Sequence, residues 1–314
     1  MPGLRHAQAL AALVCALACL PPLTQAQTVF RSDAHLVVLH TTVLGEDGSL
    51  VTDLPQASFR VFENGVAQRL KVFRREDIPV SLGLVIDGSA SMIEKRDRVK
   101  TAALALVKAS HPEDEVFIIN FNERSYLDTD FTSEIRKLEE GLSRIDAQGL
   151  TAMRDAVRLS IEHLRRQAKE DKKVLLVVTD GEDNSSSVSL TYLVRTAQQS
   201  GVLVYAVGLL GQAGREETTR AQRDLDALAK ATGGQAYYLN DVSEVDQVAR
   251  EIAHHIRNQY TLAYTPSNEV LDGSYRAIRV VVEDPRRLVV RTRTGYYALP
   301  RGAPVPQTSS DTVP

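Results

Sequence analysis

The feature that most constrains the fold is a series of four near-continuous apolar runs, at residues 80–87, 115–121, 173–179 and 202–207. Runs of this kind are typical of parallel strands that are buried on both faces of a sheet. Amphipathic stretches lie between them, and one has apolar residues at helical spacing, at Val99, Ala102, Ala103, Leu106 and Val107. Strands that alternate with helices predict an α/β fold with a doubly wound, mostly parallel sheet and flanking helices.

Both flanks of this α/β region have a β pattern. Before it, β-prone runs at residues 35–43 and 59–63 are each followed by a turn dipeptide, Asp47-Gly48 and Asn64-Gly65. These dipeptides favour hairpins, because both central residues of a type I′ turn need a positive φ. After it, β patterns return at residues 260–264, 275–283 and 288–297. The two flanks could pair into one small β-sandwich, but one sequence leaves this pairing open.

The N-terminus has the pattern of an export signal. Arg5 and His6 form a weakly basic start, an apolar run follows at residues 9–20, and small residues lead to a cleavage site near Ala26. Pro21 ends the run, which is shorter than the roughly 20 residues of a membrane helix. We therefore expect a cleaved signal rather than an uncleaved anchor. The product would be periplasmic or secreted, with no membrane span.

Both cysteines, Cys15 and Cys19, lie inside this predicted signal. A chain cleaved near Ala26 would contain no disulfide, so its stability would come from packing. The tetrapeptide that ends at Cys19 also resembles a lipoprotein cleavage site, and this alternative would make Cys19 a lipidated first residue.

These patterns divide the chain into five segments. We predict a signal peptide at 1–26, a β-rich segment at 27–78, the α/β domain at 79–260, a second β-rich segment at 261–300 and a disordered tail at 301–314. The tail is rich in Pro, Ser and Thr, which disfavour a packed core.

Composition narrows the range of partners. The 314 residues are 43% hydrophobic and 25% charged, which is ordinary for a globular protein with a buried core. The formal net charge of -3 gives no basic surface of the kind that binds a polyphosphate backbone. Nucleic acid is therefore not an expected partner.

Oxygen-bearing side chains follow the predicted strands. Asp87 ends the first apolar run and opens an Asp-x-Ser-x-Ser turn with Ser89 and Ser91. Thr151 precedes a predicted helix in a second loop, and Asp180 follows the third apolar run. Open α/β sheets bind ligands at the carboxyl ends of their strands, where strand order reverses. The three loops predict a site of hard oxygen donors that suits Mg²⁺ or Mn²⁺, with Ca²⁺ as an alternative.

This set of residues resembles the metal-ion-dependent adhesion site (MIDAS) of von Willebrand factor type A (VWA) and integrin inserted domains. The family pattern is Asp-x-Ser-x-Ser, a later Gly-x-Thr, present here at Gly149 to Thr151, and a strand-ending Thr-Asp-Gly, present here around Asp180. The resemblance covers residues 79–260 and implies a Rossmann-like VWA fold. The flanks resemble those of exported bacterial VWA-related proteins whose roles are mostly undefined.

The resemblance implies a role for each residue of the site. Ser89 and Ser91 would bind the metal directly, Thr151 would bind directly or through water, and Asp87 and Asp180 would act through water or hydrogen bonds to the hydroxyls. A metal with mostly neutral ligands stays electrophilic, and its open position takes a carboxylate. The implied function is a non-enzymatic, adhesion-type module that binds an acidic residue of a protein partner.

Other functions compete with this one. Taken alone, Asp87, Ser89 and Ser91 could form a strand-to-helix turn whose side chains simply cap the helix that follows. A structural scaffold, in which the metal only stiffens three loops, is an alternative. A metal-dependent phosphoesterase would need a nucleophile or base beside the metal ligands, and a serine hydrolase would need a Gly-x-Ser-x-Gly elbow. Asp155 and Asp183 lie near helix starts, so they could support the metal ligands or complement a helix dipole.

Overall fold

The computed structural model describes residues 36–75, 77–210 and 214–300. The predicted signal peptide, both cysteines and the predicted tail lie outside these residues. The strands are β1 (Val37–Leu44), β2 (Phe59–Glu63), β3 (Val66–Gln68), β4 (Leu70–Arg74), β5 (Val80–Asp87), β6 (Glu115–Phe121), β7 (Ser125–Thr132), β8 (Lys172–Thr179), β9 (Leu203–Gly208), β10 (Ala236–Tyr238), β11 (Tyr260–Tyr264), β12 (Tyr275–Val282), β13 (Val289–Arg291) and β14 (Gly295–Tyr297). The α-helices are α1 (Arg96–Lys108), α2 (Ile135–Arg144), α3 (Met153–Gln167), α4 (Leu190–Ser200), α5 (Arg215–Thr232) and α6 (Val245–Arg257). None of the helices in the described part of the chain is long and apolar enough to cross a bilayer.

The central sheet has the strand order β10-β9-β8-β5-β6-β7. Its pairs are parallel except for β6 with β7, so the predicted mostly parallel α/β sheet is confirmed. All eight residues of β5 are buried, because β5 lies in the middle of the sheet with helices on both faces. The edge strand β7 was not predicted, since it is polar and half-exposed and therefore lacks an apolar run.

The sheet separates the buried side chains of the α/β domain into two layers. Successive residues of a strand point to opposite faces, so Leu84 and Ile86 pack in one layer and Val85 packs in the other. Helices α1, α2 and α6 complete the first layer, and α3, α4 and α5 complete the second. Because β5 is packed on both faces, its position in the sheet is fixed, and so is the position of the residues that follow it.

The flanks form one β-sandwich. Its two sheets have the strand orders β13-β1-β11-β4 and β14-β12-β2-β3, and every pair is antiparallel. Each sheet joins strands from both sides of the α/β domain: Leu39 lies opposite Leu262, and Val61 lies opposite Val280. These four side chains share one buried core. The pairing of the flanks that the sequence left open is therefore present.

One of the predicted β stretches contains two strands. The β pattern at residues 288–297 is not continuous but forms β13 and β14, which belong to different sheets of the sandwich. Between them the backbone of Thr294 donates a hydrogen bond to the carbonyl of Ala231 in α5. The chain turns a corner there because its ladder partner changes, which a period-two pattern cannot reveal.

The α/β domain is an insertion between β4 and β11. The chain leaves the sandwich at Arg74 and returns to it at Tyr260. Strands β4 and β11 are neighbours in one sheet, with Phe73 opposite Leu262. The entry to the inserted domain and the exit from it therefore lie side by side.

Candidate metal centre

The candidate site lies where the order of the central sheet reverses. From β5 the chain adds β6 and β7 on one side, and then β8, β9 and β10 on the other. Asp87 ends β5 and Asp180 follows β8, so the two carboxylates lie at the carboxyl ends of the adjacent strands that flank this reversal. This is the position at which open α/β sheets bind their ligands.

Hydrogen bonds connect four of the five predicted site residues. The backbone N–H of Ser89 donates to Asp87 Oδ1 at 2.8 Å, and the Ser91 hydroxyl donates to Asp180 Oδ1 at 2.7 Å. The Ser89 and Ser91 Oγ atoms are 3.1 Å apart. Because Ser91 gives its single hydrogen to Asp180, Ser89 is the donor between the two serines. An unbroken path of hydrogen bonds thus runs from one strand end to the other.

Asp87 accepts a second hydrogen bond, from Thr179, the threonine of the Thr-Asp-Gly motif, which was not predicted to contact it. The Thr179 hydroxyl donates to Asp87 Oδ2 at 2.5 Å. Asp87 is 2% exposed, and burial raises the pKa of its carboxyl from 3.8 to about 6, although hydrogen bonds from Thr179 and Ser89 act in the opposite direction. A bound cation at this place would favour the ionised carboxylate.

Thr151, the fifth predicted residue, is positioned through its backbone. Its N–H donates to Asn184 Oδ1 at 3.0 Å, and its carbonyl accepts from the N–H groups of Asn184 and Ser185. The same loop reaches the first one, since the N–H of Ala90 donates to the carbonyl of Gly149 at 3.3 Å. Thr151 therefore lies in a loop that touches both the loop after β5 and the loop after β8. The hydrogen bond from Thr151 to Asn184 was not predicted from the sequence.

Asp155 and Asp183 fasten the loop after β8 to the start of α3. Asp183 Oδ2 accepts from the backbone N–H of Arg154 at 2.7 Å, and Asp183 Oδ1 accepts from the Arg154 guanidinium at 3.0 Å. Asp155 accepts from the backbone N–H groups of Ser187 and Val188. Asp183, in the loop after β8, thus bonds the start of α3, and Asp155, in the first turn of α3, bonds the loop after β8. They support the geometry of the site from outside it.

Lys95 is a further charged residue at the site. Its Nζ lies 2.6 Å from Asp180 Oδ2, and this ammonium is largely buried, with a side chain that is 14% exposed. The position follows the Asp-x-Ser-x-Ser turn by four residues, at the residue before α1. No spacing rule in the sequence indicated that its side chain would turn back toward Asp180.

The donor set fits a small divalent cation. Oxygen ligands at about 2.1 Å in an octahedral shell are about 3.0 Å from their neighbours. The serine hydroxyl oxygens, 3.1 Å apart, match that edge. Among residues 36–75, 77–210 and 214–300, no three His, Cys, Asp or Glu side chains cluster so as to hold a metal. A site here would combine hydroxyl oxygens with the two carboxylates, which is a hard-oxygen set of the kind that Mg²⁺ prefers.

Comparison with known families identifies the central part of the chain. Residues 82–182 match the family model described as von Willebrand factor type A domain. The matched segment begins within β5 and contains all five predicted site residues. The fold expected from the motif resemblance is therefore confirmed.

Two curated proteins are similar to part of the chain. An uncharacterized Synechocystis protein, sll0103, is 24% identical over 186 residues, which cover 58% of this chain and 42% of that protein. The calcium-activated chloride channel regulator 1 of Equus caballus is 27% identical over 172 residues, which cover 51% of this chain and 17% of that protein. The chain thus spans less than half of the length of these relatives.

Among solved structures, proximal thread matrix protein 1 from the mussel byssus is similar with a TM-score of 0.50 and 15% identity. The match covers 62% of this chain and 51% of that one. Another structure of the mussel protein, with a TM-score of 0.49, has zinc in its MIDAS motif. At this level of identity the likeness concerns the fold.

Proposed function

We propose that this chain, which contains a von Willebrand factor type A domain, is a non-enzymatic protein-binding module. Asp87, Ser89, Ser91, Thr151 and Asp180 would hold a divalent metal, and the metal would bind a carboxylate of a protein partner. The metal would be Mg²⁺ or Mn²⁺, with Ca²⁺ as the alternative. The protein would act in the periplasm or after secretion, since its first 26 residues have the pattern of an export signal.

The observation that carries this proposal is the path of hydrogen bonds from Asp87 through Ser89 and Ser91 to Asp180. A pair of serines that only capped α1 would bond the first N–H groups of that helix. Instead, the Ser91 hydroxyl reaches Asp180, an acid in the loop after β8, 89 residues away in the chain. Two loops are thus organised around a common point, which supports a ligand at that point.

The residues have distinct tasks in the proposed site. When bound, the metal supplies a Lewis-acidic position for an incoming oxygen ligand. Ser89 and Ser91 contribute neutral oxygens, so they leave much of the cation's charge available to a partner. Asp180 accepts the hydrogen of the Ser91 hydroxyl, so the lone pair of Ser91 that does not accept from Ser89 can face a cation. Asp87 holds the backbone N–H of Ser89 and so fixes the turn.

Metal binding is tested by titration calorimetry of Mg²⁺ and Mn²⁺ into the purified protein. A Ser89→Ala, Ser91→Ala double variant removes the two hydroxyls, and Ser143→Ala is the matched control, because Ser143 is an exposed serine whose hydroxyl bonds only within α2. We expect saturable binding to the wild type and the control, and none to the double variant. Equal binding by all three proteins would overturn the assignment of the site.

Partner chemistry is tested with an array of peptides that each contain one Asp or Glu, beside matched peptides with Asn or Gln. We expect the protein to bind acidic peptides in Mg²⁺ and to release them in a chelator, because the metal is shared between the two molecules. Metal binding without any metal-dependent peptide binding would instead favour the structural scaffold.

A further inference from the structure

The ion pair between Lys95 and Asp180 lies inside the proposed site and has no part in the function described above. The distance from Lys95 Nζ to Asp180 Oδ2 is 2.6 Å, and the Asp180 side chain is 0% exposed. The other oxygen of the same carboxylate accepts the Ser91 hydroxyl. Both oxygens of Asp180 are thus engaged by groups of the protein itself.

This arrangement resolves an electrostatic problem. A fully buried carboxylate is costly unless a positive charge or several hydrogen-bond donors compensate it. In the metal-free protein, one hydroxyl and one ammonium do so. A divalent cation between the serines and Asp180 would bring a second positive charge to the same carboxylate. The ammonium and the metal would then repel each other across a short distance in a poorly solvated place.

We propose that Lys95 is a resident counter-cation that competes with the metal for Asp180. The ammonium neutralises Asp180 while the site is metal-free and withdraws when a divalent cation binds. Lys95 thereby raises the metal concentration at which the site fills. This inference rests on the proposed metal site and adds a control on its occupancy.

A cleft beside the site could receive the Lys95 ammonium after displacement. The cleft has a volume of about 240 Å³ and is lined by Lys95 itself together with Glu94, Asn240 and Asp241. Leu209, Leu239 and Val242 also line the cleft, so its wall is part apolar, and Glu94 and Asp241 are the two exposed acids in it. The lysine side chain is a flexible four-carbon stem, which can swing without movement of the backbone. Displacement would therefore exchange one carboxylate partner for another.

Two variants of Lys95 and one control test the role of its charge. Lys95→Met removes the charge and keeps most of the length, whereas Lys95→Arg keeps the charge. Lys108→Met is the matched control, because Lys108 is an exposed lysine that pairs with Glu139 on the surface. We expect Lys95→Met to bind Mn²⁺ and Mg²⁺ about tenfold or more tightly in calorimetry, since Coulomb repulsion at short range is removed. The other two variants should bind within about twofold of the wild type.

A second measurement does not depend on metal affinity. In a chelator, Lys95→Met should unfold at a lower denaturant concentration than the wild type, because Asp180 loses its counter-charge. In saturating Mg²⁺ this difference should disappear or reverse, because the metal replaces the ammonium. A merely structural lysine would lower stability equally in both conditions.

The outcomes distinguish the two proposals. Equal or weaker metal binding by Lys95→Met, or a stability loss that is the same with and without metal, would overturn the role of Lys95 and leave the metal site intact. Absence of metal binding in the wild type and in every variant would overturn the metal site and the role of Lys95 together.

Discussion

Thr179 donates a hydrogen bond of 2.5 Å to the carboxylate of Asp87, and so the ends of β8 and β5 are joined by side chains as well as by the sheet. Thr179 is 0% exposed and is the last residue of β8, directly before Asp180. The Asp87 carboxylate is therefore held from two sides, by this hydroxyl and by the backbone N–H of Ser89. Hydrogen bonds from neighbouring residues commonly orient the side chains of a metal site in this way.

Replacement of Thr179 by Val should weaken metal binding without touching a proposed ligand. Valine matches the shape of threonine but leaves one oxygen of the buried Asp87 carboxylate without its donor, at a cost of about 1–3 kcal/mol in metal-free stability. We expect affinity for Mg²⁺ to fall about tenfold or more, the range seen for residues that orient metal ligands. Thr179→Ser, which restores the hydroxyl, should recover most of it. Calorimetry on the three proteins checks this, and unchanged affinity in Thr179→Val would contradict it.

Gly83 lies in the middle of β5, where no side chain fits. A Cβ at this position would be 2.3 Å from Phe117 Cζ and 2.5 Å from Leu175 Cδ2, both in the buried layer of the sheet. We expect Gly83→Ala to lower the free energy of unfolding by about 1–3 kcal/mol, because the layer must rearrange. Urea unfolding measures this loss. Gly181→Ala is the control, since a Cβ there meets nothing within 4 Å, and its effect should stay within about 0.5 kcal/mol.

Glu63 organises the polar part of the sandwich core. It is 3% exposed and accepts hydrogen bonds from the hydroxyls of Tyr264 at 2.8 Å and Tyr296 at 3.0 Å, with the buried guanidinium of Arg276 at 3.9 Å. Glu63→Ala would leave the guanidinium and both hydroxyls without this acceptor. We expect a loss of about 3–5 kcal/mol in the free energy of unfolding.

A surface pair in the same sandwich provides the comparison for Glu63. Glu283 pairs with Arg60 at 3.0 Å, but both side chains are about half exposed, at 59% and 49%. Glu283→Ala should therefore cost about 1 kcal/mol or less. Similar losses in the two variants would show that the buried network contributes no more than a surface ion pair.

His40 in β1 should make the protein less stable in acid. Burial, together with the charges of Lys172 and Arg293, lowers the pKa of His40 from 6.5 to about 3. Between these values the unfolded chain binds a proton at this residue and the folded protein does not, so the stabilisation present above pH 6.5 is lost as the pH falls toward 3. The contribution to the slope is at most about 1.4 kcal/mol per pH unit.

The contribution of His40 is isolated with His40→Gln, which cannot titrate. We expect the wild type to lose more unfolding free energy than this variant between pH 7 and pH 4.5, as measured by urea unfolding at both values. Parallel losses in the two proteins would mean that His40 accepts a proton equally well when folded.

The sequence predicts those parts of the fold that depend on strong local patterns. The apolar strand β5 and its buried neighbours follow from two-sided burial, which demands apolar residues at every position. The edge strand β7 does not need apolar residues, because one edge and much of its surface face solvent. The corner between β13 and β14 depends on contacts with α5, which lies about 60 residues earlier in the chain. Only the assembled structure contains that information.

The candidate site, too, could be predicted from the sequence only in part. Asp87, Ser89, Ser91 and Asp180 could be named from the sequence, because each lies within three residues of a predictable strand end or in the turn that follows it. Lys95 and Asn184 could not, since both reach the site only through side-chain conformations across a loop. Long and short polar side chains in loops carry no periodic pattern, so their direction depends on what packs beside them. The ligand roles of the five predicted residues stay predictions until metal binding is measured.

The insertion of the α/β domain between two neighbouring strands of the sandwich has a mechanical consequence. If the chain is pulled at residues 36 and 300, the load passes from β1 across its ladders to β11 and β13, and from β13 along the backbone to β14. This path stays within the sandwich. The inserted domain is joined covalently to the sandwich at Arg74 and Tyr260, and it also contacts the corner between β13 and β14, where the Thr294 N–H donates to the Ala231 carbonyl of α5. A force on the two chain ends would therefore bypass the covalent connections at Arg74 and Tyr260 while β1 and β14 stay paired, whereas a force applied through a partner at the metal site would reach the sandwich through them, at the paired strands β4 and β11.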